Sequence, residues 1–183
     1  MYNSVMPEPA ALKVGDVAPD VDLKTLDGKS FKLSALKNRV IVLVFGSYSS
    51  PVFRQRVPAL EQLRKDVGQR AGVWIIYTKE AHAVGEWETE RNRDEGVMVE
   101  QPTTDAERKA LAEQARQVLK ISTPIVLDSM ENTIAGAYGL VPNGAVVIGR
   151  DGKIVVLQKW FDPSGLKRHV DQASRVSTTQ RAS

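Results

Sequence analysis

The apolar positions of this chain change period several times, and each change marks an element. "VDLKTLDGKSFKL" holds two short alternating runs on either side of Asp27-Gly28, a pair that tolerates the positive φ of a tight hairpin turn. "RVIVLVF" (Arg39–Phe45) and "GVWIIYT" (Gly72–Thr78) are continuous apolar, β-rich runs, the pattern of strands covered on both faces. Between them Pro51 stands where a first helical residue would, and Phe53, Val57, Leu60, Leu63 and Val67 follow at helical spacing. Pro58 falls inside that helix and predicts an interruption or kink, because it removes one backbone donor. Thr104-x-x-Glu107 has the form of a capping box and places Leu111, Ala115, Val118 and Leu119 on one face of a second helix. "PIVLD" (Pro124–Asp128) reads as a third buried strand. "MENTIAGAYG" is a short helix closed by Gly139, with Asp128 and Asn132 as caps. "GAVVIGRDGKIVVLQ" is a hairpin turning at Asp151-Gly152, and "DPSGLKRHVDQ" a last helix. Residues 79–102 are charged and aperiodic, a connection long enough to be functional or disordered.

Two early buried strands joined by a helix imply a parallel right-handed crossover, and the closing hairpin adds antiparallel strands. The result is an α/β domain with a mixed central sheet, helices on its faces and an N-terminal β-hairpin. Residues 1–12 read as a flexible arm, 13–172 as the domain and 173–183 as a polar tail. With 183 residues and a net charge of +3, the chain fits one domain whose scattered charges serve solubility, not nucleic acid. No apolar run approaches the ~18 residues of a membrane helix, and no basic leader precedes an apolar run, so a soluble, cytoplasmic protein is expected. The absence of cysteine excludes disulfides, cysteine metal sites and thiol catalysis in this molecule. No zinc spacing or glycine-rich phosphate loop occurs, so neither metal nor cofactor is expected.

"FGSYSSPVFR" (Phe45–Arg54) begins at a strand end, turns through small polar residues and meets a proline at a helix start. That is the shape of a thiol enzyme's active turn, with no thiol in it. It resembles the signature of the iodothyronine deiodinase family, in which Phe-Gly-Ser is followed, after two residues, by selenocysteine or cysteine and then proline. On that resemblance Ser50 stands at the chalcogen position. "IIYTKEAH" (Ile75–His82) is similar to the family's second signature and "LDSMENTIAGAYG" to its third. "GDVAPDVDLKTLDGKSFKLSAL" resembles the opening of redoxin and peroxiredoxin-type proteins. The resemblance runs from Gly15 to Val170, implies a thioredoxin-like fold, and points to bacterial deiodinase-like members. It implies thiol- or selenol-dependent reductive dehalogenation or peroxide reduction, with a halogenated aromatic or a peroxide as substrate and an external thiol as reductant. Two departures stand out: serine at position 50, and Gly144 about where vertebrate members carry an arginine. Pro142 resembles the proline flanking thioredoxin-fold active sites.

Ser50 has three readings. It replaces cysteine or selenocysteine; or it is a natural serine in a non-enzymatic binding module that uses residues 83–102 as its contact surface; or it is a nucleophile with His82 as base. All three allow Ser49 or Ser50 to cap the following helix. A helix N-terminus offers about 0.3–2 kcal/mol to an anion. One pKa unit costs about 1.4 kcal/mol, so a serine here stays a hydroxyl and the chain is expected to be redox-inactive. Glu80 and His82 follow a strand whose carboxyl end should share a crevice with the Ser50 turn, as proton-handling partners. Ser47, Tyr48, Ser49 and Pro51 shape the turn, Tyr77 closes the strand, and Trp87 is a pocket-lining candidate. Arg54 reads either as an anion holder or as a surface arginine. The sequence leaves a homodimer open.

Overall fold

A computed structural model describes residues 12–36, 38–140 and 142–175. The expected flexible arm lies outside them except for Leu12, as does the tail from residue 176 on. The chain forms a seven-stranded sheet in the order β2-β1-β5-β4-β3-β6-β7. The strands are β1 (Asp22–Thr25), β2 (Ser30–Lys32), β3 (Val40–Gly46), β4 (Ala71–Tyr77), β5 (Ile125–Leu127), β6 (Ala145–Ile148) and β7 (Ile154–Gln158). β3, β4 and β5 run parallel, while β1, β6 and β7 join antiparallel to their neighbours. The Asp27-Gly28 hairpin is present, with Gly28 at φ +81°.

Among the described residues five α-helices cover the sheet: α1 (Pro51–Val67), α2 (Glu90–Asp94), α3 (Asp105–Val118), α4 (Thr133–Tyr138) and α5 (Pro163–Arg175). Strand alternation sorts the two faces. Val40, Val42 and Val44 pack with Phe53, Val57 and Leu60 of α1, Ala112 and Ala115 of α3, and Leu166 and Val170 of α5. Ile41, Leu43 and Phe45 point the other way, against Ile134 and Tyr138 of α4. Every apolar position assigned to α1 is buried. Each such side chain contributes about 1.5–3 kcal/mol on burial.

Three expectations need correction. α1 runs through Pro58 without a break, because the ring is exposed and only one helical donor is missing. Val118 is 58% exposed, whereas Ala115 is buried and Leu111 and Leu119 pack against the core as expected, joined there by Arg108 and Ala112. The 79–102 segment is not aperiodic throughout. It contains α2, opened by the Thr89 hydroxyl, which accepts from the Asn92 N–H at 3.2 Å. The Thr104–Glu107 capping box is complete. Gly139 ends α4 in the left-handed region. Among the described residues no helix is long and apolar enough to cross a membrane.

Candidate active site

β3 and β4 are parallel and in register from Val40↔Ala71 to Gly46↔Tyr77, so their carboxyl ends deliver the Ser47–Ser50 turn and the Thr78–His82 segment side by side. Gly46 permits the approach of α1: a Cβ there would lie 2.1 Å from the Phe53 ring. Ser47, Ser49, Ser50, Tyr77 and Glu80 are all fully buried.

Buried polar groups must find partners, and here they find one another. The Ser47 and Ser49 hydroxyls accept from the backbone N–H groups of Ala81 (3.2 Å) and His82 (3.0 Å). Glu80 accepts from the Ser49 N–H at 2.7 Å with one oxygen and from the Tyr77 hydroxyl with the other. The Tyr77 oxygen in turn accepts from the Tyr48 N–H at 3.2 Å. Burial, together with the charge and hydrogen bond of Glu80, holds the Tyr77 phenol well above its ordinary value. The phenol therefore stays the donor in this pair. Gln101 clamps the backbone of Glu80 from both sides, at 2.8 and 3.0 Å.

Ser50 is the N-cap of α1, its Oγ accepting from the Phe53 N–H at 3.2 Å. Its hydroxyl proton goes to Asn143 Oδ1 at 2.6 Å. The reading of Ser50 as a nucleophile with His82 as base therefore finds no Ser–His hydrogen bond, the first requirement of such a dyad. The His82 ring Nδ1 lies 2.7 Å from the Trp87 carbonyl. A carbonyl only accepts, so Nδ1 carries the proton and Nε2 is the basic nitrogen of the neutral ring. Trp87 stacks edge-on to His82 with ring centroids 5.3 Å apart and is 77% exposed.

Arg54 is not a surface residue, and the anion it holds is one of the chain's own, the Glu95 carboxylate. Arg54 is 8% exposed and its guanidinium is bonded behind the turn. It donates to the Tyr48 carbonyl at 2.7 Å, to Asn92 Oδ1 at 2.8 Å and to Glu95 at 2.7 Å. Asn92 then donates to the Ser49 carbonyl at 2.8 Å. Through these bonds α2 fastens the turn.

Pro51 is the first residue of α1. Pro142 is half-buried beside Asn143. Asp128 caps α4, accepting from Ile134 and Ala135 N–H at 3.1 and 2.9 Å. Asn132 instead receives the Lys79 N–H at 2.9 Å.

Asn143, Asn92 and Arg108 were not anticipated. Arg108 donates to the Asp128 carbonyl at 3.0 Å and to that of Ser129. Burial lowers its pKa, while the charges of Asp128, Asp105 and Glu80 oppose that fall. The one usable signal was Thr89-x-x-Asn92, a polar cap pattern hidden in a charge run.

The iodothyronine deiodinase family model matches residues 9–169. Type I iodothyronine deiodinase of Xenopus laevis is 30% identical over 156 residues, covering 84% of this chain and 59% of that protein. Thyroxine 5-deiodinase of Ovis aries is 28% identical over 156 residues, covering 76% and 50%. The chain thus spans between half and three-fifths of these relatives' length. Among solved structures, a protein described as a thiol:disulfide interchange protein DsbE, from Chlorobium tepidum, superposes with TM-score 0.67 at 18% identity, covering 90% of this chain and 99% of that one. A secreted thiol-disulfide isomerase from Corynebacterium glutamicum gives 0.64 at 12%, covering 91% and 95%. The fold is thioredoxin-like.

Proposed function

Because the chain belongs to the iodothyronine deiodinase family, we propose that the Ser47–Pro51 turn is a chalcogen site whose chemistry is thiol- or selenol-dependent reductive dehalogenation or peroxide reduction, silent here because residue 50 is serine. The observation that carries this reading is the buried Glu80 carboxylate, joined to the turn through Ser49 N–H and to the Tyr77 hydroxyl. A buried carboxylate is costly to keep, and it bonds the backbone N–H of Ser49, the residue before position 50.

Position 50 suits an anion. It caps a helix whose Phe53 N–H points at the side chain, where dipole and free donors stabilise a thiolate. With cysteine or selenocysteine there, the chalcogenate would take iodine from carbon as I⁺ and form a chalcogen–iodine bond, while the carbon accepts a proton. Two external thiols would then release iodide and restore the chalcogen as they become a disulfide. From a peroxide, the chalcogenate would take one oxygen and release an alcohol or water. His82 and Glu80 are the proton-handling groups in this scheme. With no cysteine in the chain, a single introduced chalcogen has no internal resolving thiol and depends on the external one.

A second reading, a binding module with a native serine, is favoured by one observation: the Ser50 hydroxyl is fully paired and buried. Ser50→Cys separates the two. Thiolate absorbance should report a pKa well below ~8.5, with thiol-dependent deiodination or peroxide reduction that is absent from the parent and lost in His82→Ala. An ordinary thiol without turnover would leave the binding module. The expected cytoplasmic location and the homodimer stay as proposals beside it, the latter tested by sedimentation.

A further inference from the structure

Asn143 lies 93 residues from Ser50 in sequence and touches it side chain to side chain. It is 5% exposed and sits just before β6, its backbone fixed where its carbonyl accepts the Phe161 N–H at 2.7 Å. The main chain therefore brings this amide to residue 50 whatever the side chain does. The amide itself is held by one bond only: among the described residues, Ser50 is the single hydrogen-bonding partner of its side chain.

That arrangement fits a hydroxyl. Ser50 Oγ accepts one proton from Phe53 N–H and gives one to Asn143 Oδ1. An anionic sulfur or selenium is different, because it has no proton to give and only accepts. Facing it with a carbonyl oxygen at this range would be repulsive. An amide carries a donor and an acceptor of nearly the same shape on one carbon. Half a turn about its terminal bond replaces Oδ1 with Nδ2–H, and here it breaks no other hydrogen bond among the described residues.

We propose that Asn143 is the positioning residue of the position-50 side chain, presenting its oxygen to a hydroxyl and, after the amide turns over, its nitrogen to a thiolate or selenolate. This rests on the chalcogen-site reading for its use, but not for its test. The amide supplies the second donor to the anion, beside Phe53 N–H, and aims the lone pair that attacks. It takes no proton itself.

The test compares Ser50→Cys alone with the same change plus Asn143→Ala or Asn143→Asp, titrating thiolate absorbance and checking each fold by circular dichroism. Loss of one donor to a buried anion should raise the thiol pKa by about one to two units in Asn143→Ala. Asn143→Asp should raise it further, because a carboxylate repels the thiolate. Agreement of all three within about 0.3 units would overturn the proposal, whether or not any form turns over substrate. A second measurement needs no variant of Asn143: the side-chain NH2 resonances of Asn143 in Ser50→Cys, followed by NMR against pH. They should move with the thiol's own titration and stay still in the serine parent. Resonances that ignore the thiol would overturn the proposal as well. Turnover is read separately, so an inactive protein with a shifted thiol would count against the enzyme reading alone.

Discussion

Replacing Arg54 with methionine tests whether the turn is held from behind. Methionine keeps most of the side chain's length and volume, so the change removes hydrogen bonds more than packing. Two acceptors would lose their donor, the Tyr48 carbonyl and Asn92 Oδ1. Both lie in buried residues, and an unpaired buried acceptor costs about 1–3 kcal/mol. The Glu95 pair adds little, because that carboxylate is part-exposed and Arg91 also bonds it. The expected loss is therefore about 2–6 kcal/mol, against about 0.5 kcal/mol or less for an ordinary surface arginine. In a domain of this size that lowers Tm by roughly 4–24 °C. Urea unfolding should show it as an earlier midpoint at unchanged slope. Arg54→Lys, which restores one donor group, should fall between. A loss below about 1 kcal/mol in Arg54→Met would refute the reasoning and make the α2 clamp ornamental.

Stability should also fall in alkali. Tyr77 and Tyr138 both have their phenol pKa raised, Tyr77 by burial and Glu80, Tyr138 by burial with the Asp20 charge behind it. Below pH ~10 both phenols are neutral folded or unfolded and contribute no pH dependence. Above it the unfolded chain releases protons that the folded one keeps, so each phenol costs about 1.4 kcal/mol per pH unit until its folded pKa is reached. Phenolate absorbance followed with pH should show these two titrating only as the protein unfolds, and Tyr77→Phe should flatten the stability slope. Gly144→Ala should destabilise by about 1–3 kcal/mol in the same urea assay. Its Cβ would meet the Leu140 and Gln158 carbonyl oxygens at 2.5 and 2.7 Å, and backbone cannot step aside cheaply.

The fold was legible because its strong signals are local. Phe53, Val57, Leu60, Leu63 and Val67 all face the core as their spacing required. Asp27-Gly28 and Asp151-Gly152 both turn hairpins. What the chain hid is what depends on partners far away. Arg54 reads like any helix-surface arginine until Asn92, 38 residues on, is folded against it. Asn143 stands between Pro142 and Gly144, where nothing local marks an asparagine as the partner of a residue 93 positions earlier. Arg108 is fully buried although its type rarely is, and only the carbonyls of Asp128 and Ser129 explain it. Val118 erred the opposite way. It sits at the last residue of α3, beside the stripe that runs through Ala112 and Ala115 to Leu119.

The two departures from the resembled family differ in kind. Residue 50 departs by one atom: its backbone is a helix cap, its donor from Phe53 is in place, and the amide opposite can serve either occupant. Residue 144 departs by the path of the chain. Its N–H closes onto the Leu140 carbonyl at 2.7 Å, and that same oxygen fills the space a side chain would need. An arginine could enter only after the backbone at Gly144 had moved away from the Leu140 carbonyl. A cysteine at 50 can therefore restore an attacking atom without restoring whatever a charged side chain at 144 contributes elsewhere. The exposed Trp87 ring, edge-on to the His82 imidazole, offers an aromatic surface on which to test substrate selection in Ser50→Cys. Truncating Trp87 should then raise KM for an aromatic substrate while leaving the thiol pKa where Ser50→Cys put it.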